Sequence, residues 1–230
     1  MRASQWRIEL TGGEMSILDL ISKAFRKDTE IPFDDMKKRT RILVIDDKEF
    51  VYLKLFESDG YSMDKWNNIE SLQKLEDNLY DIILLDQHGI GLEQSKIKGG
   101  MALLKHLKSH NPAQIVIAYS QSKFSLSDLD FFNMSDASLD KNSDYYVFKA
   151  KVDELIKKRF TNEYYADLIR KLLAAQGEQI TEDEIAQAVK HIKKGKYNKA
   201  EKYIEGLRLT VSAAETCLGV VSIIKKVMAM

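Results

Sequence analysis

Three carboxylates, a hydroxyl and an ammonium close four apolar runs in this sequence. Ile42-Leu-Val-Ile45 leads into Asp46 and Asp47, and Tyr80-Asp-Ile-Ile-Leu-Leu leads into Asp86. Gln114-Ile-Val-Ile-Ala-Tyr ends at Ser120, and Asp144-Tyr-Tyr-Val-Phe ends at Lys149. Clustered carboxylates repel one another, by about 4 kcal/mol per pair at 4 Å and an effective dielectric near 20. A divalent cation relieves that repulsion, and Mg²⁺ suits a site with a few carboxylates and several waters. Asp46, Asp47 and Asp86 are therefore the candidate metal ligands, and the metal would leave one of these carboxylates free to attack phosphorus. Lys149 would balance the charge of a phosphoryl group, and the Ser120 hydroxyl would bond one of its oxygens.

These groups meet only if the runs are neighbouring strands. Their unbroken β-branched and leucine content suits strands covered on both faces, as in a parallel sheet. Tyr61 to Trp66 is a weaker fifth strand. Between the strands, Phe50 to Ser58, Ile69 to Asn78, Gly100 to His110 and Lys151 to Phe160 carry helical patterns. The alternation predicts a doubly wound α/β domain, in which functional groups collect at the carboxyl ends of the strands.

The flanking regions differ in character. Residues 1–39 hold a strand-like Trp6, Ile8, Leu10 alternation. Thr11-Gly-Gly13 follows, then an amphipathic helix on Met15, Ile17, Leu18, Ile21, Ala24 and Phe25. Lys27 to Thr40, charged and holding Pro32, reads as a linker. After residue 160 the pattern is helical throughout: Tyr164 to Ala175, a helix capped by Thr181 with Glu184 completing a capping box, Tyr197 to Leu207, and Ser212 to Met228. In the last of these, Val211, Ala214, Leu218, Val221, Ile224 and Val227 form an apolar stripe that packs on neighbouring helices or meets a partner, including a second copy of the chain.

Composition narrows the function classes. The chain has 230 residues, enough for one α/β domain and a smaller appendage, and 44% hydrophobic content places it among globular proteins. Thirty-five basic residues balance thirty-five acidic ones, so no global charge draws it to nucleic acid. The lysines between Lys190 and Lys202 are offset by Glu182, Asp183, Glu184, Glu201 and Glu205, and nucleic acid is disfavoured as a partner. The single cysteine, Cys217, excludes an internal disulfide and fits a reducing compartment. No stretch is apolar and long enough for a signal peptide or a spanning helix, so a cytoplasmic location is expected.

The same residues resemble the receiver domain of two-component response regulators. Arg41-Ile-Leu-Val-Ile-Asp-Asp47 is similar to the family's first strand and acidic pair, and Tyr80 to Asp86 to its third strand and phosphoacceptor. Gly99-Gly-Met-Ala-Leu-Leu-Lys-His-Leu-Lys108 resembles the Gly-led helix that follows. Ser120 falls at the switch Ser/Thr, Tyr146 at the aromatic switch and Lys149 at the active-site lysine. The resemblance implies a five-stranded flavodoxin-like receiver over residues 40–160, between an N-terminal extension over 1–39 and an all-α output module over 161–230. It also implies Mg²⁺-dependent phosphoryl transfer to Asp86 from a histidine kinase or phosphotransfer protein. The protein would then be a signalling phosphoprotein rather than a turnover enzyme, passing its signal to a downstream protein.

Some positions depart from the family pattern. Ala150 replaces the proline that follows the lysine, Gln121 replaces a small residue, and His88 is uncommon two places after the phosphoacceptor. Gln121 and Ala150 keep open a degenerate receiver acting as a scaffold. A DNA-binding regulator is a lesser alternative. So is an aspartate-nucleophile phosphohydrolase, since His88 stands where an Asp-x-Asp motif needs its second carboxylate.

Overall fold

The computed structural model describes residues 31–91, 99–120, 129–178 and 181–229. The strand and helix expected before residue 26, and Gln121, lie outside the described residues. From Pro32 onward the chain forms one compact unit.

Its centre is a five-stranded, all-parallel sheet in the order β2-β1-β3-β4-β5. The strands are β1 (Arg41–Ile45), β2 (Ser62–Trp66), β3 (Ile82–Asp86), β4 (Ile115–Ser120) and β5 (Ala137–Asp140). In β3 and β4 every residue is buried, and in β1 all but Arg41, as the continuous apolar runs required. The two edge strands are only partly buried: β2 buries Met63 and Trp66, and β5 only Leu139. With β2 and β3 on opposite sides of β1, the order reverses beside β1, which opens a crevice at the strands' carboxyl ends. This is the doubly wound α/β fold the sequence predicted.

Helices cover both faces. α1 is Phe33–Arg39, α2 Leu53–Ser58, α3 Leu72–Glu76, α4 Gly99–His110, α5 Leu129–Met134 and α6 Tyr145–Arg159. One face of the sheet packs Leu43, Ile45, Ile83, Leu85, Val116 and Ala118 with Leu75, Leu103, Leu104, Leu107 and Phe131 of α3, α4 and α5. The other carries an aromatic cluster. Phe50 stacks on Phe56 of α2 and meets Tyr119 of β4 and Phe148 of α6 edge-on.

Two expectations need correction here. The stretch Lys27 to Thr40 is not wholly a linker, because Phe33–Arg39 is helical. Asp34 and Asp35 lie in its first turn and Lys37, Lys38 and Arg39 in its last, matching the helix dipole. Lys37 ties it down by donating to Asp59 O at 3.0 Å and lying over the Tyr61 ring. The second correction is larger. Asp144 to Lys149 is not the fifth strand but the start of α6, whose buried residues Phe148, Val152, Leu155, Ile156 and Arg159 recur at helical spacing.

Four helices follow: α7 (Asn162–Ala175), α8 (Glu182–Lys193), α9 (Tyr197–Glu205) and α10 (Val211–Ala229). The capping box at Thr181 is present, with Glu184 N–H donating to Thr181 Oγ1 and Thr181 N–H to Glu184 Oε2. α10 buries Ala213, Cys217, Val220, Val221, Ile224 and Val227, while Val211 is exposed. The expected stripe is thus rotated at its start, where Ala213 and Cys217 take the inward positions. No helix among the described residues is long and apolar enough to cross a membrane.

Candidate functional site

At the carboxyl ends of β1 and β3, alternation sets the direction of the acidic side chains. Ile45 and Leu85 belong to the α3–α5 core, so Asp46 and Asp86, one residue on, turn to the opposite side. Asp47 joins them from the β1–α2 connection. One carboxylate oxygen from each of Asp46, Asp47 and Asp86 lies within 4.8 Å of the others. Asp46 and Asp86 are buried and Asp47 is exposed.

Glycines make this convergence possible. Gly89 has φ +75°, and a Cβ there would sit 2.4 Å from Asp47 Oδ2. The loop after β3 therefore leaves room that the Asp47 carboxylate fills. Gly100 opens α4 against the backbone of Asp86, where a Cβ would meet the carbonyl oxygen at 2.1 Å. Gly99 N–H donates to Ile90 O and Gly100 N–H to Gln87 O, closing the loop onto the helix.

A lysine occupies the pocket, and it is Lys141, not Lys149. Lys141 follows β5, and its backbone N–H donates to Ser120 O at 3.0 Å. Its Nζ donates to Asp86 Oδ2 at 2.7 Å and stands 2.6 Å from Asp46 Oδ2. The second contact is a close ion pair with the buried Asp46 Oδ2. Lys149 lies in the second turn of α6, where its Nζ donates to Tyr61 Oη at 2.5 Å and is 3.5 Å from Asp59 Oδ2. It faces α2 and β2 because its segment is a helix, which turns successive side chains by about 100° rather than aiming the last along a strand.

The same shift moves the switch residues. Tyr146 is in the first turn of α6 and is 80% exposed, so it rides on no strand. Three residues before Lys141, the spacing expected of the aromatic switch, stands the exposed Ser138. After Lys141 comes Asn142 rather than proline. Its backbone N–H and side-chain amide both donate to Asp140 Oδ1, at 2.8 and 3.0 Å, and these bonds shape the turn. Ser120 ends β4, buried, as expected from sequence. His88 is exposed, and its contribution to the site is a backbone N–H donated to the Asp86 carboxylate.

The electrostatics follow from burial and one ammonium. Burial raises the Asp86 pKa above the ordinary carboxylate value, and Lys141 only partly offsets it, with Asp46 adding repulsion. For Asp46, burial also pushes up, but Lys141, the Lys48 N–H and Asp86 together hold it below the ordinary value. Three clustered carboxylates, two of them paired with the Lys141 ammonium, form an acidic group that suits a small hard cation. Asp46, Asp47 and Asp86 would together offer the carboxylate oxygens that Mg²⁺ prefers as ligands.

Comparison with family models and with curated proteins finds no match. Among solved structures the chain is similar to a CheY-like response regulator receiver domain protein from Methanospirillum hungatei JF-1. The identity is 23%, over 51% of this chain and 94% of that one, with a TM-score of 0.42. It is also similar to a two-component response regulator from Clostridium difficile, at 26% identity over 51% of this chain and 96% of that one, with a TM-score of 0.43. A third similarity, to NtrX from Brucella abortus, is at 16% identity and covers 68% of this chain and 34% of that one, with a TM-score of 0.45.

Proposed function

We propose that residues 40–160 are a phosphoryl-accepting receiver and that residues 161–230 are the helical module through which it signals. The supporting observation is the placement of the Lys141 ammonium between Asp46 and Asp86, with Asp47 completing the acidic group. Asp86 Oδ2 is held by Lys141, which leaves Oδ1 as the nucleophile. An Oδ1–phosphorus bond forms as the donor's phosphorus–nitrogen bond breaks, and that electron pair stays on the imidazole of a histidine kinase or phosphotransfer protein. Lys141 then balances a phosphoryl oxygen, and the Ser120 hydroxyl donates to another. Mg²⁺, held by Asp46, Asp47 and Asp86, would neutralise charge on the entering group. Phosphorylation would shift a two-state equilibrium read by downstream protein contacts of α7–α10.

The test uses the full chain with Mg²⁺ and a small acyl phosphate, read by intact mass. The expected result is one added phosphoryl group that is absent without Mg²⁺ and absent in Asp86→Asn. Identical masses for wild type and Asp86→Asn would sink this reading. Ser138 and Asn142, in place of a ring and a proline, favour a second reading: a scaffold that binds Mg²⁺ without accepting a phosphoryl group. Mg²⁺ binding with no mass change on any donor would select it.

A further inference from the structure

The Lys141 ammonium has one more neighbour. It lies over the ring of Tyr119, 4.7 Å from the centroid. Tyr119 pairs directly with Asp86 in the β3–β4 register, so both side chains leave the sheet on the same face. Tyr119 is only 4% exposed, and Phe50 and Phe148 meet its ring edge-on at 5.9 and 5.6 Å between centroids. Three attractive groups therefore surround the ammonium: the carboxylates of Asp46 and Asp86, and the negative face of a clamped aromatic ring.

We infer that Tyr119 is a positioning residue for phosphoryl binding, its ring face holding the Lys141 ammonium where it meets the phosphoryl group on Asp86. This rests on the proposed receiver function. When a phosphoryl group arrives, Lys141 must give up part of its contact with Asp86 Oδ2 and turn to a phosphoryl oxygen. A flexible lysine stem would otherwise lose rotamer freedom at that step. The ring is packed between Phe50 and Phe148 and carries no charge at neutral pH, so it offers the same attraction before and after the turn. Its strength lies in the quadrupole of the ring face, and burial by Phe50 and Phe148 keeps water from screening it.

Beryllofluoride serves as the phosphoryl probe, titrated in saturating Mg²⁺ and followed by isothermal titration calorimetry. Tyr119→Phe keeps the ring face and is expected to bind within about twofold of wild type, whereas Tyr119→Leu is expected to bind about three- to thirtyfold more weakly. A series of increasingly fluorinated phenylalanines at 119 keeps the shape while draining the quadrupole, and the affinity should fall stepwise along it. That series decides the matter even if Tyr119→Leu does not fold. Affinity for Mg²⁺ alone should not fall in any folded variant, because the ring holds the ammonium and not the metal. A flat fluorination series, or an equal loss of Mg²⁺ affinity, would overturn the positioning role. If the wild-type chain itself ignores beryllofluoride, it is the receiver reading that fails, independently of Tyr119.

Discussion

Replacing Lys141 by methionine should separate the two lysines that compete for one role. In the folded chain, Lys141 Nζ touches two buried carboxylates, at 2.6 and 2.7 Å, and its side chain is 8% exposed. Without it, Asp46 and Asp86 face each other with oxygens no more than 4.8 Å apart. Coulomb's law at an effective dielectric near 20 gives at least about 3 kcal/mol of repulsion at that separation. Removing one partner of a buried ion pair independently suggests about 3–5 kcal/mol. Lys149→Met, by contrast, removes ion pairs at 3.5 and 3.7 Å and a hydrogen bond to the Tyr61 hydroxyl from a side chain that is 30% exposed, and should cost about 1–2 kcal/mol. The assay is urea unfolding at neutral pH, with chelator and then with Mg²⁺. The Lys141 variant should be much the weaker in chelator and should gain more from Mg²⁺ than wild type, because no ammonium competes with the ion. Equal losses for the two variants, or a Mg²⁺ gain no larger than that of wild type, would refute the assignment of the pocket lysine.

Two further outcomes follow from the geometry. Gly89→Ala places a Cβ 2.4–2.7 Å from the Asp47 carboxylate at a backbone φ of +75°, so the carboxylate must swing away. Mg²⁺ affinity should fall by about tenfold or more in a chain that still folds, and an unchanged Mg²⁺ titration would remove Asp47 from the ligand set. The second outcome concerns pH. Burial pushes the Cys217 thiol up to about 11, from an ordinary value of 9.0. The folded state then holds the thiol proton more tightly than the unfolded state does. The resulting contribution to stability is complete below pH 9.0 and is lost as the pH rises towards about 11. The stability difference between wild type and Cys217→Ala, followed by urea unfolding from pH 8 upward, should shrink through that window. Tyrosine ionisation is common to both proteins and cancels in the difference, so parallel curves would show that the thiol is not so placed.

The central strands were legible because burial on both faces demands an unbroken apolar run. β1, β3 and β4 each satisfied that demand, and each carried its terminal Asp46, Asp86 or Ser120 to the crevice. The capping box at Thr181 was legible for a different reason, since its partners are three residues apart and need no tertiary context. The helix at Phe33–Arg39 was hidden because it is short and buries none of its own residues. It is held by Lys37 on the Asp59 carbonyl and the Tyr61 ring, contacts between positions more than twenty residues apart that no local pattern records.

The misplaced lysine has a more general cause. An edge strand has one neighbour and needs little apolar surface, so β5 closes the sheet with Leu139 as its only buried residue. A few residues later, Tyr145, Tyr146, Val147 and Phe148 offer four apolar or aromatic positions in a row, ending in a lysine, and so imitate a central strand. The signal against that reading was in the sequence. Phe148, Val152, Leu155 and Arg159 recur every three or four residues, a period that a strand ending at Lys149 could not share. Once α6 is extended back to Tyr145, the segment before it must supply the fifth strand, and the first lysine after that strand is Lys141. The site's charge balance then follows from topology rather than from hydrophobicity. Whatever stands at the carboxyl end of the strand beside β4 faces Asp86, however polar that strand is.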